Sequence, residues 1–345
     1  MVMNNNLILR NTRKDRGIQL LRVLACIAVF VCHFGQRMNL QNLSPYIYNL
    51  SQLGQYGVEL FFVISGYLAC LSLSSGKSII AFYKKRIVRI LPLYYFCILY
   101  YFFTETFIFK AIPDDSLNLY WLRYIFCLNG IVPSSGEYFW SNIGITWTIP
   151  VFFVFYLLAP LIVKLSKTTL FSCIMLIGFI GLRFIIHKLC PRWFSSFDYL
   201  PCFIIGVVVY NAKKENSRFI TSVCLLLFVI VLRWIESGGY IFDSVNIILP
   251  SVFVISAVFA VMLICSDQFV LQKLRFVRII DILDEHSYTL YLVHGIVFCG
   301  IIDKFNINIY FRIAIAIFGT VFLTIIIHKF IEKPAQKVLK KVLSV

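Results

Sequence analysis

An arginine and a histidine flank an apolar stretch near the start of the chain, with Arg22 and His33 at the two ends of RVLACIAVFVCH. A helix turns about 100° per residue, so this eleven-residue separation places both side chains on one face, about 16 Å apart along the axis. Ionisable groups in apolar helices are rare and usually face a bundle interior or a water-filled cavity. We therefore expect His33 to act as a general base and Arg22 to hold a polar group on the same face. The alternative is that each side chain extends to the headgroups at its own end of the helix.

A carboxylate stands near the start of the next apolar stretch, GVELFFVISGYL, in which Glu59 is the only charged residue. If this helix returns through the membrane, Glu59 lies near the depth of His33, where a carboxylate orients an imidazole and raises its basicity. Alternatively, Glu59 only complements the positive N-terminal end of its own helix. Ser65 and Gly66, deeper in the stretch, indicate either close helix packing or a cavity wall.

Two arginines stand three residues apart in FYKKRIVRILP, shortly before a proline. Arg86 and Arg89 share a face if the segment is helical, and two guanidinium groups can hold phosphate groups in a bidentate manner. We expect Pro92 to open an apolar span and the arginines to lie at its cytoplasmic mouth. Lys84 and Lys85 are explained by the excess of positive charge on the cytoplasmic side of membrane proteins.

Polar residues recur in two later apolar stretches, TWTIPVFFVFYLLAP and HSYTLYLVHGIVF. Pro150, in the first, is expected to kink its helix and to free a backbone carbonyl. The second stretch places His294 near mid-membrane, on a helix that also carries Ser287, Tyr288 and Tyr291. We expect a neighbouring helix to satisfy this buried histidine.

The composition identifies the surroundings of these groups as a membrane. Of 345 residues, 60% are hydrophobic and only 14% are charged, and the mean hydropathy is +0.85. Soluble domains are about 45–50% apolar and about 25% charged. The eleven cysteines lie scattered in apolar runs without a C-x-x-C pair. We therefore expect them to pack in the core and not to bind a metal or form disulfides.

Apolar stretches near the length that crosses a bilayer, about 17–25 residues, recur about ten times. With the N-terminus inside, 22 of the 32 Lys and Arg residues fall in cytoplasmic segments and six in outside loops, which is the asymmetry that sets membrane topology. The formal charge of +16 therefore indicates topology and not nucleic-acid binding. The predicted spans are residues 18–35, 57–73, 91–109, 142–163, 169–187, 198–212, 219–235, 245–265, 287–302 and 308–328.

The predicted fold is all-α: a polytopic membrane bundle of about ten transmembrane helices with both termini in the cytoplasm. We expect a single integral membrane domain over residues 1–345, with a cytoplasmic N-terminal segment (1–17), the transmembrane bundle (18–328) and a cytoplasmic tail (329–345). No small-residue cleavage site follows the first apolar run, so this run is expected to remain as an anchor.

Taken in order along the chain, these motifs resemble the acyltransferase-3 family of integral membrane acyltransferases, many of which O-acetylate bacterial surface glycans. Two positions depart from the family pattern. Gln19 stands where the family often has an aspartate, and Phe152 stands where it commonly has a glutamate. The residues that carry the resemblance are Arg22 and His33; Gly57, Val58, Glu59, Phe61, Phe62, Ser65, Gly66 and Tyr67; Arg86, Arg89 and Pro92; Trp147, Thr148, Ile149, Phe155, Tyr156, Leu157 and Pro160; Ser287, Tyr288, Tyr291, Leu292 and His294; and Glu332 and Pro334.

The resemblance implies a multi-pass protein of a bacterial inner membrane. The implied donor is acyl-CoA, most commonly acetyl-CoA, on one side of the membrane, and the acceptor lies on the other side. The implied acceptor is a hydroxyl of a surface polysaccharide such as O-antigen or of a lipid-linked glycan, and no metal is implied. The hydroxyl attacks the thioester directly, or the acyl group passes through His33. The residues implied as catalytic are His33, Glu59 and Arg22, those implied to bind CoA phosphates are Arg86 and Arg89, and those expected to bind substrate or support the fold are Ser65, Trp147, Tyr291 and His294.

Two other functions are compatible with buried charges in a membrane bundle. A transporter of an anionic or glycolipid substrate would line its path with such groups, although the sequence shows no inverted repeat. A scaffold in an envelope complex gives no reason for Arg22 and His33 to share a face. The enzyme is therefore the preferred interpretation, and the transporter is the main alternative.

Overall fold

A computed structural model describes residues 15–76, 78–109, 120–129, 145–189, 199–217, 221, 223, 277–305 and 308–344. Nearly all of these residues are helical, and no strand occurs among them. The predicted all-α fold is confirmed for this part of the chain. Five helical segments are long and apolar enough to cross a membrane, namely Arg16–Arg37, Pro45–Leu73, Ile79–Ile108, Ile145–Leu165 and Ile309–Leu343.

The helices are numbered in chain order over the described residues. The first six are α1 (Arg16–Arg37), α2 (Leu40–Leu43), α3 (Pro45–Gln52), α4 (Gly57–Leu73), α5 (Ile79–Phe103) and α6 (Tyr120–Ile125). The others are α7 (Thr148–Leu165), α8 (Thr169–Leu189), α9 (Leu200–Lys214), α10 (Val277–Val297), α11 (Ile309–Ala314), α12 (Thr320–Ile327) and α13 (Lys333–Leu343). A 3-10 turn joins α3 to α4, and π-turns follow α5, α10, α11 and α12, so α11 to α13 form one continuous helix.

Short polar side chains set where two of the long helices begin. Asp15 accepts hydrogen bonds from the first backbone N–H groups of α1 at 3.1 and 3.4 Å, and Ser78 accepts one at the start of α5 at 3.1 Å. Such N-caps satisfy amides that have no partner within the helix and contribute about 1 kcal/mol each. The capped starts fix the register of the arginines that follow on both helices.

The predicted spans agree with the described helices in position. The first, second, third, fourth and tenth overlap the five membrane-length segments, although the second and third segments begin earlier than predicted, at Pro45 and Ile79. The fifth, sixth and ninth correspond to α8, α9 and α10. Apart from residues 221 and 223, the predicted spans at 219–235 and 245–265 lie outside the described residues. The total number of spans and the cytoplasmic placement of both termini stay predictions.

Two prolines occupy positions in their helices other than those predicted. Pro92 does not open its helix, because α5 begins at Ile79 and contains Pro92 in its interior. Lys and Arg are good helix formers, so the basic segment before Pro92 continues the helix, and proline is tolerated within membrane helices. The predicted kink at Pro150 is also wrong: Pro150 lies in the first turn of α7, where its missing N–H removes no bond of that helix, and Pro160 is the proline inside α7.

Helices α1 and α10 lie side by side and run in the same direction. Residue numbers increase together along the two helices, from an ion pair between Arg16 and Asp281 at one end to the stacked rings of His33 and His294 nearer the other. We call this contact the α1–α10 seam. It gathers the ionisable side chains of both helices into the bundle, as expected for such groups in an apolar environment.

Helices α4 and α9 approach each other closely at two glycines. A Cβ atom on Gly66 would lie 2.0 Å from the backbone oxygen of Phe203, and one on Gly206 would lie 2.0 Å from that of Val63. Small residues allow membrane helices to pack backbone against backbone, so of the two alternatives left open for Gly66 the structure shows close helix packing. Beside this contact, the ring of Phe203 stacks between Phe62 and Phe155, with centroids 4.8 and 4.1 Å away.

We expect Gly66→Ala to destabilise the protein, because its methyl group would force α4 away from α9, and overpacking typically costs about 1–3 kcal/mol. The matched control is Gly178→Ala on α8, since a Cβ there would meet no atom of another described element within 4 Å. Thermal unfolding of the purified protein in detergent should show a lower midpoint for Gly66→Ala only. Equal midpoints for the two variants would contradict the close packing of α4 on α9.

Candidate active site

A cavity of about 120 Å³ lies between α1, α4, α5, α7 and α10, and three arginines line it. The arginines are Arg22, Arg86 and Arg89, and most of the remaining wall is apolar. Hydroxyl groups also reach the wall, from Ser65, Thr148, Tyr156, Ser287, Tyr288 and Tyr291. The cavity therefore brings together five of the nine site residues expected from the sequence, namely Arg22, Ser65, Arg86, Arg89 and Tyr291.

Arg22 is held by a carboxylate from the opposite side of the seam. Its Nε lies 2.9 Å from Asp284 Oδ1, and its Nη2 donates a hydrogen bond to Asp284 Oδ2 at 3.0 Å. Asp284 is only 8% exposed, so the ion pair lies largely away from water, where an unpaired charge would be costly. Asp284 was not among the site residues expected from the sequence.

Two carboxylates of α10 also face Gln19. At this position the family often has an aspartate, and this chain has a glutamine. Gln19 Nε2 donates to Asp281 Oδ1 and to Asp284 Oδ2, both at 3.1 Å, and Arg16 pairs with Asp281. Asp281 and Asp284 are three residues apart and therefore share a face of α10. This spacing was the signal in the sequence that could have identified them as a paired acidic face.

Arg86 and Arg89 reach the cavity from one face of α5, and aromatic rings hold both of them. The Cζ atom of Arg86 lies 5.2 Å from the ring centroid of Phe82 and 5.0 Å from that of Tyr156, and the Cζ atom of Arg89 lies 5.9 Å from the Tyr288 ring. Cation–π contacts orient a guanidinium group without neutralising its charge. Within the described residues, Arg86 has no ion pair, so its charge is available to a ligand.

A buried glutamate approaches Arg89 from the continuous C-terminal helix. Glu332 is fully buried, and its Oε1 lies 4.0 Å from Arg89 Nη1. Its carboxylate also contacts His328 Nδ1 at 2.7 Å, accepts a hydrogen bond from Gln336 at 2.8 Å and contacts Thr289. The π-turn from His328 to Glu332 places this side chain toward the bundle. The contact with Arg89 is long, so it leaves the guanidinium able to bind a second anion.

A chain of two glutamines orients His33. The Nδ1 atom of His33 lies 3.0 Å from Gln36 Oε1, and Gln36 Nε2 donates to Gln52 Oε1 at 2.7 Å. Because the amide nitrogen of Gln36 faces Gln52, its oxygen faces His33, and Nδ1 of His33 carries the proton. The Nε2 atom is then the basic nitrogen. No local sequence pattern marks either glutamine as functional, since glutamines near a helix end usually indicate an exposed surface.

Glu59, expected to orient His33, lies in the first turn of α4 and is half-buried. Trp147 lies immediately before α7 and packs among aromatic side chains, with its ring centroid 5.0 Å from that of Tyr199 and 6.3 Å from that of Phe62. Phe152 forms part of the cavity wall and lies 5.0 Å from Phe62. The position where the family commonly has a glutamate is therefore an apolar surface in this cavity.

Tyr291 joins the cavity to the two histidines of the seam. Its hydroxyl donates to Thr148 Oγ1 at 3.2 Å inside the cavity, and its ring centroid lies 5.8 Å from that of His294. The His294 ring in turn lies 5.2 Å from that of His33, at an interplanar angle of 30°. Ring contacts thus link Tyr291 in the cavity wall to His294 and, through it, to His33. The part of the chain that the structure describes contains no group of three or more His, Cys, Asp or Glu residues suited to a metal ion.

Comparison with known proteins gives one family and several distant relatives. A family model described as an acyltransferase domain matches residues 15–329. The O-acetyltransferase OatA of Staphylococcus aureus (strain NCTC 8325 / PS 47) is 23% identical over 366 residues, which cover 93% of this chain and 57% of the relative. The putative acetyltransferase ORF330 of Acidianus two-tailed virus is 27% identical over 258 residues, covering 70% of this chain and 72% of the relative.

A third relative matches over a shorter region: the acyltransferase MdmB of Streptomyces mycarofaciens is 32% identical over 76 residues, or 21% of this chain and 20% of the relative. The chain spans only 57% of the length of the staphylococcal relative. No solved structure matches the chain.

We expect the Arg22–Asp284 pair to show strong coupling in a double-mutant cycle of Arg22→Gln, Asp284→Asn and the double variant. The coupling free energy should be about 1–3 kcal/mol, because either single substitution leaves a poorly hydrated charge or dipole behind. The readout is the free energy of unfolding of the purified protein. The same cycle at the more exposed Arg16–Asp281 pair is the control and should give about 0–1 kcal/mol. Coupling near zero at Arg22–Asp284 would contradict the pairing.

Proposed function

Since this chain belongs to the acyltransferase-3 family, whose acyltransferase domain matches residues 15–329, we propose that it is a membrane O-acyltransferase with acyl-CoA as the donor. The acceptor is a hydroxyl of a cell-surface polysaccharide or of a lipid-linked glycan, and the acyl group is acetyl. The observation that carries the proposal is a mostly apolar cavity lined by three arginines, with a wall residue, Tyr291, that contacts a pair of stacked histidines. The family membership favours this enzyme over a transporter.

The arginine end of the cavity is suited to the phosphates of CoA. Asp284 already neutralises Arg22, whereas Arg86 rests on aromatic rings and Arg89 has only a long contact with Glu332. Arg86 and Arg89 therefore supply the charge that a phosphate group would bind in a bidentate manner. Arg22, fixed in place by Asp284, lines the passage beyond them.

The middle of the cavity is suited to the pantetheine arm of the donor. Phe61, Ile149 and Phe152 provide apolar surface, while Ser65 and Thr148 provide hydroxyl groups for the amides of the arm. Arg22 and His33 are about 16 Å apart along α1 by helix geometry, a rise that pantetheine can largely cover. The thioester then lies near Tyr291 and the histidines.

His33 is the general base in the proposed reaction. Its Nε2 atom takes the proton of the acceptor hydroxyl as the oxygen attacks the thioester carbonyl, and the same proton then passes to the sulfur of the departing CoA. Gln36 and Gln52 hold the required tautomer, and Glu59, in the first turn of α4, favours the imidazolium that forms. In a two-step transfer, Nε2 instead attacks the thioester carbonyl and CoA leaves as the thiolate; the acceptor hydroxyl then takes the acyl group from Nε2, and its proton passes to that thiolate.

The whole reaction therefore links two compartments, with the donor on the cytoplasmic side of a bacterial inner membrane and the acceptor on the outer side. The asymmetry of Lys and Arg between the predicted loops supports this orientation.

We expect His33→Ala to lower acyl transfer at least about 100-fold, because general-base catalysis typically contributes about 10²–10⁴-fold. Membranes that contain the protein would be incubated with radiolabelled acetyl-CoA, and the label in the glycan fraction would be counted. His286→Ala is the matched control, since His286 lies on α10 outside the cavity lining. Full transfer by a correctly inserted His33→Ala protein would remove the proposed base.

We expect Arg86→Ala and Arg89→Ala each to raise the apparent KM for acyl-CoA about 10- to 100-fold, because a hydrogen bond to a charged group contributes about 1.5–3 kcal/mol. The same assay, run over a range of donor concentrations, measures this change. Lys85→Ala is the control on the same helix, where the side chain is exposed. An unchanged KM in both arginine variants would restrict Arg86 and Arg89 to a role in topology.

A further inference from the structure

His294 is a buried ionisable group to which the proposed reaction assigns no role. It is 1% exposed and is the residue of α10 that faces His33 across the seam. Its Nε2 atom is buried and has no hydrogen-bond partner within the described residues. A buried polar atom without a partner is costly and rare in native structures. The atom therefore points to a ligand that supplies the missing hydrogen bond.

The tautomer of His294 determines which kind of ligand group can bind its Nε2 atom. Its Nδ1 atom lies 3.2 Å from the backbone oxygen of Leu290, and a carbonyl oxygen can only accept a hydrogen bond. Nδ1 therefore carries the proton, and Nε2 presents a lone pair. The ligand group must be a hydrogen-bond donor.

The surroundings of the ring exclude a charged donor. The rings of Tyr291, Phe298 and His33 lie around it, with centroids 5.8, 6.1 and 5.2 Å away. Arg86 is partly exposed beside its aromatic rings, but an ammonium or guanidinium group at the buried His294 ring, without a carboxylate, would lose its hydration at a high cost in free energy. A hydroxyl group is neutral and donates one hydrogen bond, so it matches both the lone pair and the apolar walls.

We propose that His294 binds the acceptor sugar, accepting a hydrogen bond at Nε2 from a hydroxyl beside the one that His33 activates. The inference rests on the proposed function and adds the requirement that the acceptor carries two neighbouring hydroxyl groups. Both histidines then present Nε2: Gln36 anchors the Nδ1 atom of His33, and Leu290 anchors that of His294. Only the hydroxyl at His33 loses its proton, so His294 positions the sugar and takes no part in bond making.

The test compares three substitutions in membranes that contain the full chain. His294→Phe keeps an aromatic ring on the seam but removes the lone pair, and His294→Gln retains a side-chain oxygen that can accept a hydrogen bond. Phe30→Leu is the packing control, since Phe30 contacts the ring of Phe298 on the same seam with centroids 5.4 Å apart. Transfer of labelled acetyl from acetyl-CoA is measured on a panel of methyl hexosides, and kinetics are taken on the best of them.

We expect His294→Phe to raise the KM for the methyl hexoside about 2- to 10-fold, the effect of one neutral hydrogen bond, with the KM for acetyl-CoA unchanged. His294→Gln should recover most of this loss, and Phe30→Leu should not reproduce it. The deoxy analogue that lacks the neighbouring hydroxyl should bind the wild-type and His294→Phe proteins equally.

An unchanged hexoside KM in His294→Phe would overturn the inference and leave a bound water as the partner of Nε2. Equal losses in His294→Phe, His294→Gln and Phe30→Leu would overturn it as well, since they would show a packing role only. Failure of the wild-type protein to acylate any hexoside would instead contradict the proposed glycan acceptor.

Discussion

The pairing of charges along the α1–α10 seam is the constraint on which the rest of the site depends. Buried between helices, an arginine requires a carboxylate, and Arg22 finds it in Asp284. Two parallel helices joined in this way have one register. Three turns farther along α1, the same register places His33 against His294. The ion pair at one end of the seam and the histidine pair at the other are therefore consequences of a single packing arrangement.

Helices packed beside the α1–α10 seam form the other walls of the cavity. The glycine contact between α4 and α9 brings the backbones together and lets Phe203 stack against Phe62 and Phe155. This aromatic layer supports Phe152, whose ring contributes to the cavity wall. For the proposed acyl-CoA donor, this mostly apolar cavity would offer a favourable position for the phosphates only at the arginines and would shield the thioester from water. Hydrolysis of the thioester would then be disfavoured relative to transfer.

The sequence predicted the features that depend only on residues close to one another along the chain. Helix periodicity placed Arg22 and His33 on one face and Arg86 beside Arg89, and the hydropathy indicated an all-α membrane bundle. The sequence did not predict contacts that depend on which helices pack together. Asp284 is 262 residues from its partner Arg22, and no local pattern links them. Gln36 drew no prediction, because only the fold brings Gln52 to it.

A structure of the protein in lipid nanodiscs with a thioether analogue of acetyl-CoA tests the central claim most directly. The account predicts that the phosphates of the analogue contact Arg86 and Arg89 and that its acyl end reaches Tyr291, facing the Nε2 atom of His33. An analogue bound outside this cavity, or bound with its acyl end away from the histidines, would contradict the account.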